Sequence, residues 1–195
     1  MAARTIDFAA ARRAMVVSQL RPEGVTDKAV LAAMSTVARE DHLPPRLGPL
    51  AYMDRPLSID DGSPVMSPAE LGRLLTELAP LPAEKALVVG PGGSYSAAVL
   101  EAMGLNVERA ENIVKLPAKK KFDLILVEGA VEFVPDELAA RLKSHGRIGL
   151  AKIDRGVARL AVGSNAHGSL GFTNVADAQV PLLAGFEAPK PAFIF

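Results

Sequence analysis

Residues 86 to 98 read Ala-Leu-Val-Val-Gly-Pro-Gly-Gly-Ser-Tyr-Ser-Ala-Ala, and no other stretch limits so strongly what this chain can fold into. Four apolar residues without alternation predict a strand buried on both faces. The glycines predict a tight turn and the small residues after it the start of a helix. A strand of this kind needs cover above and below it. The 195 residues can supply one such core, while a second full-sized domain would be cramped. Hydrophobic residues make up 49% of the chain, but tryptophan is absent and aromatics reach only 5%. The core must therefore come mainly from Ala, Val, Leu and Ile, which suits helices packed on a parallel sheet.

Upstream of this stretch the periodicity is helical. Asp7 can cap a helix in which Phe8, Ala11, Met15, Val16 and Leu20 share a side, until Pro22 and Gly24 stop it. A second helix starts at Thr26 or Asp27, carries Val30, Leu31, Met34 and Val37, and ends before Pro44 and Pro45. Residues 54–67 are polar and loop-like. They lead into Ser67-Pro68-Ala69-Glu70, where an N-cap hydroxyl, a proline at the first helical position and a glutamate three residues on predict a well-started helix. Leu71, Leu74, Leu75 and Leu78 form its apolar stripe.

Beyond Pro82 the pattern changes to short apolar runs, 86–89, 124–127 and 147–150, separated by helical stretches at 97–103 and 136–142. Pro135 opens the second of these helices and Gly146 follows its end. Strand-like pieces at 157–162 and 192–195 finish the chain. The alternation predicts an α/β, Rossmann-like, doubly wound and mostly parallel sheet. Residues 1–82 then form a helical segment with a loop, packed on an α/β domain of residues 83–195.

Charge and composition exclude several classes. Lys plus Arg and Asp plus Glu are both 22, so nothing favours nucleic acid or an acidic membrane. There is no cysteine, which rules out disulfides and thiolate chemistry and fits a reducing cytoplasm. His42, His145 and His167 are far apart and show no metal-type spacing, so structural or surface roles are expected. No apolar run approaches membrane-spanning length.

In an open parallel sheet, ligands bind in the crevice beyond the carboxyl ends of the strands, where Gly90, Gly92 and Gly93 fall. Without side chains there, backbone amides and a helix N-terminus can approach a phosphate or an amino-acid carboxylate. The same turn also serves as a tight connection with no ligand. If the ligand carries a ribose, the next strand should end in an acid that accepts from both vicinal hydroxyls. Glu108 is that candidate, 16 residues after Gly92 where about 20 is usual. The alternative is a surface glutamate paired with Arg109 or Lys115.

Several segments resemble the protein-L-isoaspartate O-methyltransferase family, which transfers a methyl group from S-adenosylmethionine to the abnormal carboxylate of isoaspartyl residues. They are Met15-Val16-Val17-Ser18-Gln19-Leu20-Arg21, Gly24-Val25-Thr26-Asp27, Val30-Leu31-Ala32-Ala33-Met34, Ala38-Arg39-Glu40, Ala51-Tyr52 and Pro56-Leu57. The glycine turn, Val107-Glu108-Arg109, Phe122-Asp123-Leu124-Ile125-Leu126-Val127 and Leu142 with Gly146-Arg147 continue the likeness. The resemblance implies an S-adenosylmethionine-methyltransferase fold, a cytoplasmic repair activity on isoaspartyl proteins or peptides, and a donor site that retains Gly90, Gly92 and Glu108. It assigns no catalytic residue and no metal.

The chain also departs from the family. Pro64, Val65 and Met66 stand where Thr-Ile-Ser is usual, Val88 where the first strand carries an acid, and Ser94 at the last glycine of the turn. Pro91 removes an amide donor. Only 13 residues separate Glu108 from Phe122, too few for the helix, third strand and adenine-contacting turn of the family. A missing edge helix and strand are therefore expected, with Lys119, Lys120 and Lys121 protecting the exposed edge, or a homodimer pairing along it. Two functions fit: the methyltransferase with S-adenosylmethionine, or an inactive homologue without cofactor that binds or scaffolds. A dinucleotide-dependent oxidoreductase suits the turn alone and leaves the N-terminal likeness unexplained.

Overall fold

The computed structural model describes residues 6–117, 119–166 and 169–189; His167 and the strand expected at 192–195 lie outside them. Asp7 caps α1 (Phe8–Met15), its carboxylate accepting from the Ala10 amide at 2.9 Å. A π-helical turn, Val16–Leu20, extends it to the predicted end. Asp27 caps α2 (Lys28–Thr36) by accepting from the Ala29 and Val30 amides. This helix stops well short of the proline pair, because Val37 is already extended and two 3-10 turns, Arg39–His42 and Pro45–Leu50, take over.

The stretch expected to be a loop contains a small antiparallel hairpin, β1 (Leu57–Ser58) and β2 (Pro64–Val65). Leu57 pairs with Val65 and both are buried, while Asp60, Asp61 and Gly62 form an exposed tip. The helix α3 (Pro68–Leu78) starts as its sequence predicts. Ser67 Oγ accepts from the Glu70 amide at 3.2 Å and the Glu70 carboxylate accepts from the Ser67 amide at 2.9 Å. Replacing Ser67 with alanine is expected to cost about 1 kcal/mol. In thermal unfolding that is a drop of roughly 2–4 °C.

The remaining elements are β3 (Lys85–Val89), α4 (Ser94–Ala102), β4 (Asn106–Ala110), β5 (Phe122–Val131), α5 (Asp136–Ala139), β6 (Leu142–Asp154), β7 (Val157–Ala166) and β8 (Ser169–Asp177). They form one sheet in the order β4-β3-β5-β6-β7-β8. The first three pairings are parallel, and the last two are antiparallel hairpin pairings. Alternation along β3 and β5 splits the core. Ala86, Val88, Leu124 and Leu126 face the cluster that also holds Met15, Leu20, Met34, Leu74 and Leu100. Leu87, Val89, Ile125 and Val127 face a smaller cluster closed by Leu138, Leu183 and Phe186. The N-terminal helices and the sheet thus share one buried core.

The second face differs from expectation. The helix predicted over 136–142 is a single turn, since Leu142 already pairs with Phe122 as the start of β6. Leu124 then pairs with Arg147, so residues 143–146 bulge. Gly146 lies inside this bulge rather than after a helix; a side chain there would sit 3.0 Å from the Phe122 carbonyl. The strand predicted at 157–162 runs on to Ala166 and pairs with β8, so among the described residues no helix follows β6.

At the other end of the sheet β4 pairs with β3 and, among the described residues, with no further strand. A single 3-10 turn, Ile113–Lys115, is the regular structure between β4 and β5 among those residues. The edge is partly covered. Lys120 Nζ donates to both Glu108 oxygens at 2.9 Å, in an exposed pair.

Candidate functional site

The sheet order reverses at β3. The chain leaves β3 through α4 to β4 on one side, and leaves β5 for β6 on the other. The crevice of such a sheet lies at that switch point, outside the carboxyl ends of the two strands. Residues 90–93 follow β3 there, and Glu128 and Gly129 lie near the end of β5.

Gly90 takes φ +122°, its amide donating to the Ala110 carbonyl at 2.8 Å. A Cβ on it would meet the Glu128 backbone and side chain at 3.1 and 3.2 Å, so the two strand ends touch. The Gly93 amide donates back to the Gly90 carbonyl at 3.1 Å. Gly92 is where another part of the chain comes closest. A Cβ there would collide with the Pro64 carbonyl oxygen and lie 2.9 Å from Val65. The hairpin β1–β2 is therefore seated directly on the glycine turn.

What holds the hairpin there is a buried carboxylate. Glu128 is 1% exposed; Oε1 accepts from the Met66 amide at 2.7 Å and Oε2 from the Ser96 hydroxyl. Burial pushes this carboxyl above its ordinary range, offset only in part by those hydrogen bonds and the Arg39 charge. Arg39, also buried, donates from Nη2 to the Met66 carbonyl at 2.6 Å and lies 4.7 Å over the Tyr95 ring. Its Nε and Nη1, and the Tyr95 hydroxyl, have no hydrogen-bond partner among the described residues. Met66 is thus gripped through both backbone groups, by a carboxylate from one strand end and a guanidinium from the N-terminal segment.

The N-terminal segments that carry the family likeness also converge. Arg12 donates to Tyr52 at 2.7 Å and to Glu40 at 2.9 Å, the Tyr52 hydroxyl donates to Glu40, and Gln19 Nε2 reaches the Tyr52 carbonyl at 2.9 Å. Burial works to raise the Glu40 carboxyl, but Tyr52 and Arg12 outweigh it and hold it below the usual carboxylate range. This network fixes the segment that delivers Arg39 to the crevice.

Of the residues expected at the donor site, Gly90 and Gly92 lie together in the turn. Glu108 does not join them: it sits within β4, level with Leu87, paired to Lys120. The acid that follows the strand end is Glu111, which lines an open cavity of about 400 Å³ with Arg109, Ala110 and Lys115. Lys115 donates to it, and that hydrogen bond holds the exposed carboxyl below its ordinary range. Its sequence signal was present, since Glu111 follows Gly92 by 19 residues, near the usual ~20. Glu128 had a signal as well, a lone acid after a buried apolar run. His42 lies beside Ser94, with Nδ1 3.1 Å from the hydroxyl, and His145 is exposed. Among the described residues no group of three His, Asp or Glu side chains is arranged to hold a metal. Nor, among them, is any helix long and apolar enough to cross a membrane.

The parallel sheet, its switch point and the appended antiparallel strands are those of a Rossmann-like methyltransferase. Two solved structures share this fold. One is a Plasmodium falciparum beta-aspartate methyltransferase (PCMT) in complex with S-adenosyl-L-homocysteine, with TM-score 0.73 and 16% identity over 88% of this chain and 97% of that one. The other is a protein-L-isoaspartate O-methyltransferase, with TM-score 0.72 and 20% identity over 89% of this chain and 66% of that one. At such identities the likeness speaks for the fold alone. The sequence comparisons go further. The family model for protein-L-isoaspartate(D-aspartate) O-methyltransferase (PCMT) matches residues 11–121. A protein-L-isoaspartate O-methyltransferase of Koribacter versatilis is 31% identical over 95% of this chain and 96% of its own length. One from Methylorubrum extorquens is 35% identical over 73% of this chain and 74% of its own. The chain belongs to the protein-L-isoaspartate(D-aspartate) O-methyltransferase family.

Proposed function

We propose that this chain methylates the carboxylate of isoaspartyl residues in proteins or peptides, using S-adenosylmethionine. The observation that carries this is the crevice itself: a glycine turn and a strand-end acid meet at the switch point of a sheet whose family is named for that reaction. Its nucleoside side fits the donor, with Glu111 in an open cavity beyond β4. Its other side is filled by the hairpin, seated on Gly92 and tied to Glu128. The donor supplies an electrophilic methyl group. An isoaspartyl carboxylate is already ionised at neutral pH, with a pKa near ~4, so the chain need only align it and exclude water.

Within this proposal Gly90 and Gly92 shape the turn between the donor side and the hairpin, and the ribose contact goes to Glu111 in preference to Glu108. A carboxylate accepting two hydroxyls contributes about 1.5–3 kcal/mol. Glu111→Gln should therefore weaken donor binding at least tenfold in calorimetry, and Glu108→Gln should leave it within about twofold. The reverse order would return the role to Glu108. Methyl transfer to an isoaspartyl peptide, compared with its normal aspartyl twin, tests the activity. No heat at millimolar donor and no transfer would support the second reading, a binding or scaffolding module. The chain's lack of cysteine suits a cytoplasmic setting. A second copy pairing along β4 belongs to the same proposal, and a monomer in sedimentation at high concentration would remove it.

A further inference from the structure

We infer, taking the crevice to be the methyl-transfer site proposed above, that Arg39 binds a carboxylate there once the hairpin β1–β2 lifts away. A guanidinium stays charged at any working pH, and a buried charge is costly unless it is paired. Arg39 is 1% exposed, yet its one acceptor among the described residues is the uncharged Met66 carbonyl. Nε and Nη1 have none there. Orphaned donors of this kind are rare in protein interiors and call for a partner. The acids whose charges reach Arg39, Glu128 and Asp54, are committed elsewhere. Glu128 accepts from the Met66 amide and the Ser96 hydroxyl, and Asp54 from the Ala69 amide at 3.2 Å. Burial also raises the Glu128 carboxyl, which weakens it as a partner for Arg39.

The position of Arg39 decides which partner fits. The Pro64 carbonyl rests on Gly92, and two residues further along the same segment the Met66 carbonyl rests on Arg39. One displacement therefore uncovers the glycine turn and the guanidinium together. With only two residue pairs the hairpin has little stability of its own and stays down through its grip on the crevice, the Met66 hydrogen bonds included. A ligand that replaces those bonds releases it. Once the Met66 carbonyl leaves Nη2, that group and Nε offer two parallel donors, the fork that matches both oxygens of a carboxylate. The Tyr95 ring, 4.7 Å beneath the guanidinium, holds the fork in place while its acceptor changes. Two carboxylates would enter such a site, that of the isoaspartyl residue and that of the donor's amino-acid end. A neutral ligand would exchange the Met66 carbonyl for nothing stronger.

Burial protects the Arg39 Nε–H from exchange with water, so in the full chain it should give its own proton-nitrogen signal, assigned by its absence from Arg39→Lys. The probes are an isoaspartyl peptide, the same peptide methylated at the isoaspartyl carboxylate, and S-adenosylhomocysteine. The signal should move with the free peptide, with S-adenosylhomocysteine or with both, and stay in place with the methyl ester. Whichever probe moves it names the carboxylate. No movement with either free carboxylate, or equal movement with the ester, would overturn the inference. Arg39→Lys keeps the charge without the fork, so it should weaken each probe that moves the signal roughly tenfold or more and leave any other within about twofold. Equal affinities of parent and Arg39→Lys for a probe that moves the signal would also overturn it. Methyl transfer by a chain whose Arg39 signal stays still would remove the inference and leave the proposed activity standing. A moving signal without methyl transfer would do the reverse.

Discussion

Alanine at Gly92 is expected to destabilise the protein by about 2–3 kcal/mol, through a clash that neither partner can relieve cheaply. A Cβ there would collide with the Pro64 carbonyl oxygen and lie 3.0 Å from its carbon, so backbone meets backbone. Rotamer changes cannot absorb that. Either the hairpin β1–β2 lifts off the turn or the connection from β3 to α4 deforms, and lifting the hairpin strains the hydrogen bond from Met66 to Glu128. The loss should appear as a lower denaturant midpoint and a fall in melting temperature of roughly 4–12 °C. Gly171 supplies the control, since nothing lies within 4 Å of a Cβ there and its φ is ordinary. Gly171→Ala should stay within about 0.5 kcal/mol of the parent. Equal stability of the two variants would mean that the hairpin does not rest on the turn.

That contact also marks where the sequence stops being informative. Local chemistry announced Asp7 and Ser67 as caps, and the unalternating run at 86–89 announced a doubly buried strand; all three appear as expected. The short spacing before Phe122 foretold the edge position of β4. Residues 136–142 misled because Pro135 and the acids after it are sound helix-start signals. What ends the helix is the long-range pairing of Leu142 with Phe122, which no local pattern contains. The hairpin was hidden for a similar reason. Two-residue strands carry no periodicity, and the tip residues Asp60, Asp61 and Gly62 look like any solvated loop. At the site, Glu108 drew attention through its place in Val-Glu-Arg, although the usual spacing from the turn falls nearer Glu111. The meeting of Arg39, Met66 and Glu128 spans residues far apart in sequence, and only the folded topology brings them together.

Glu128 carries the second large expectation, and its sign is opposite to that of the other perturbed carboxylates. Glu40, Glu84 and Asp123 are held low by Tyr52 with Arg12, by Arg147 and by Lys143, in each case against a desolvation that works to raise them. Their contribution is present above the unfolded value and is lost as pH falls through the depressed folded value. Glu128 is raised by burial, so its contribution is full below the unfolded value and is lost as pH rises through the raised one. Glutamine at this position keeps an acceptor for the Met66 amide, and its NH2 group can donate to the Ser96 hydroxyl oxygen, without a charge to bury. Glu128→Gln should therefore match the parent near pH 4 and become progressively more stable than it toward pH 7. Glu128→Ala should instead lose about 3 kcal/mol near pH 4, because the amide and hydroxyl lose their partner beside a new cavity. The loss should shrink as pH rises, since the parent is then weakened as well. Urea unfolding of the three proteins at pH 4 and pH 7 reads both trends. A difference between Glu128→Gln and the parent that does not change with pH would mean that this carboxylate is not buried in the crevice, and the latch on the hairpin would fall with it.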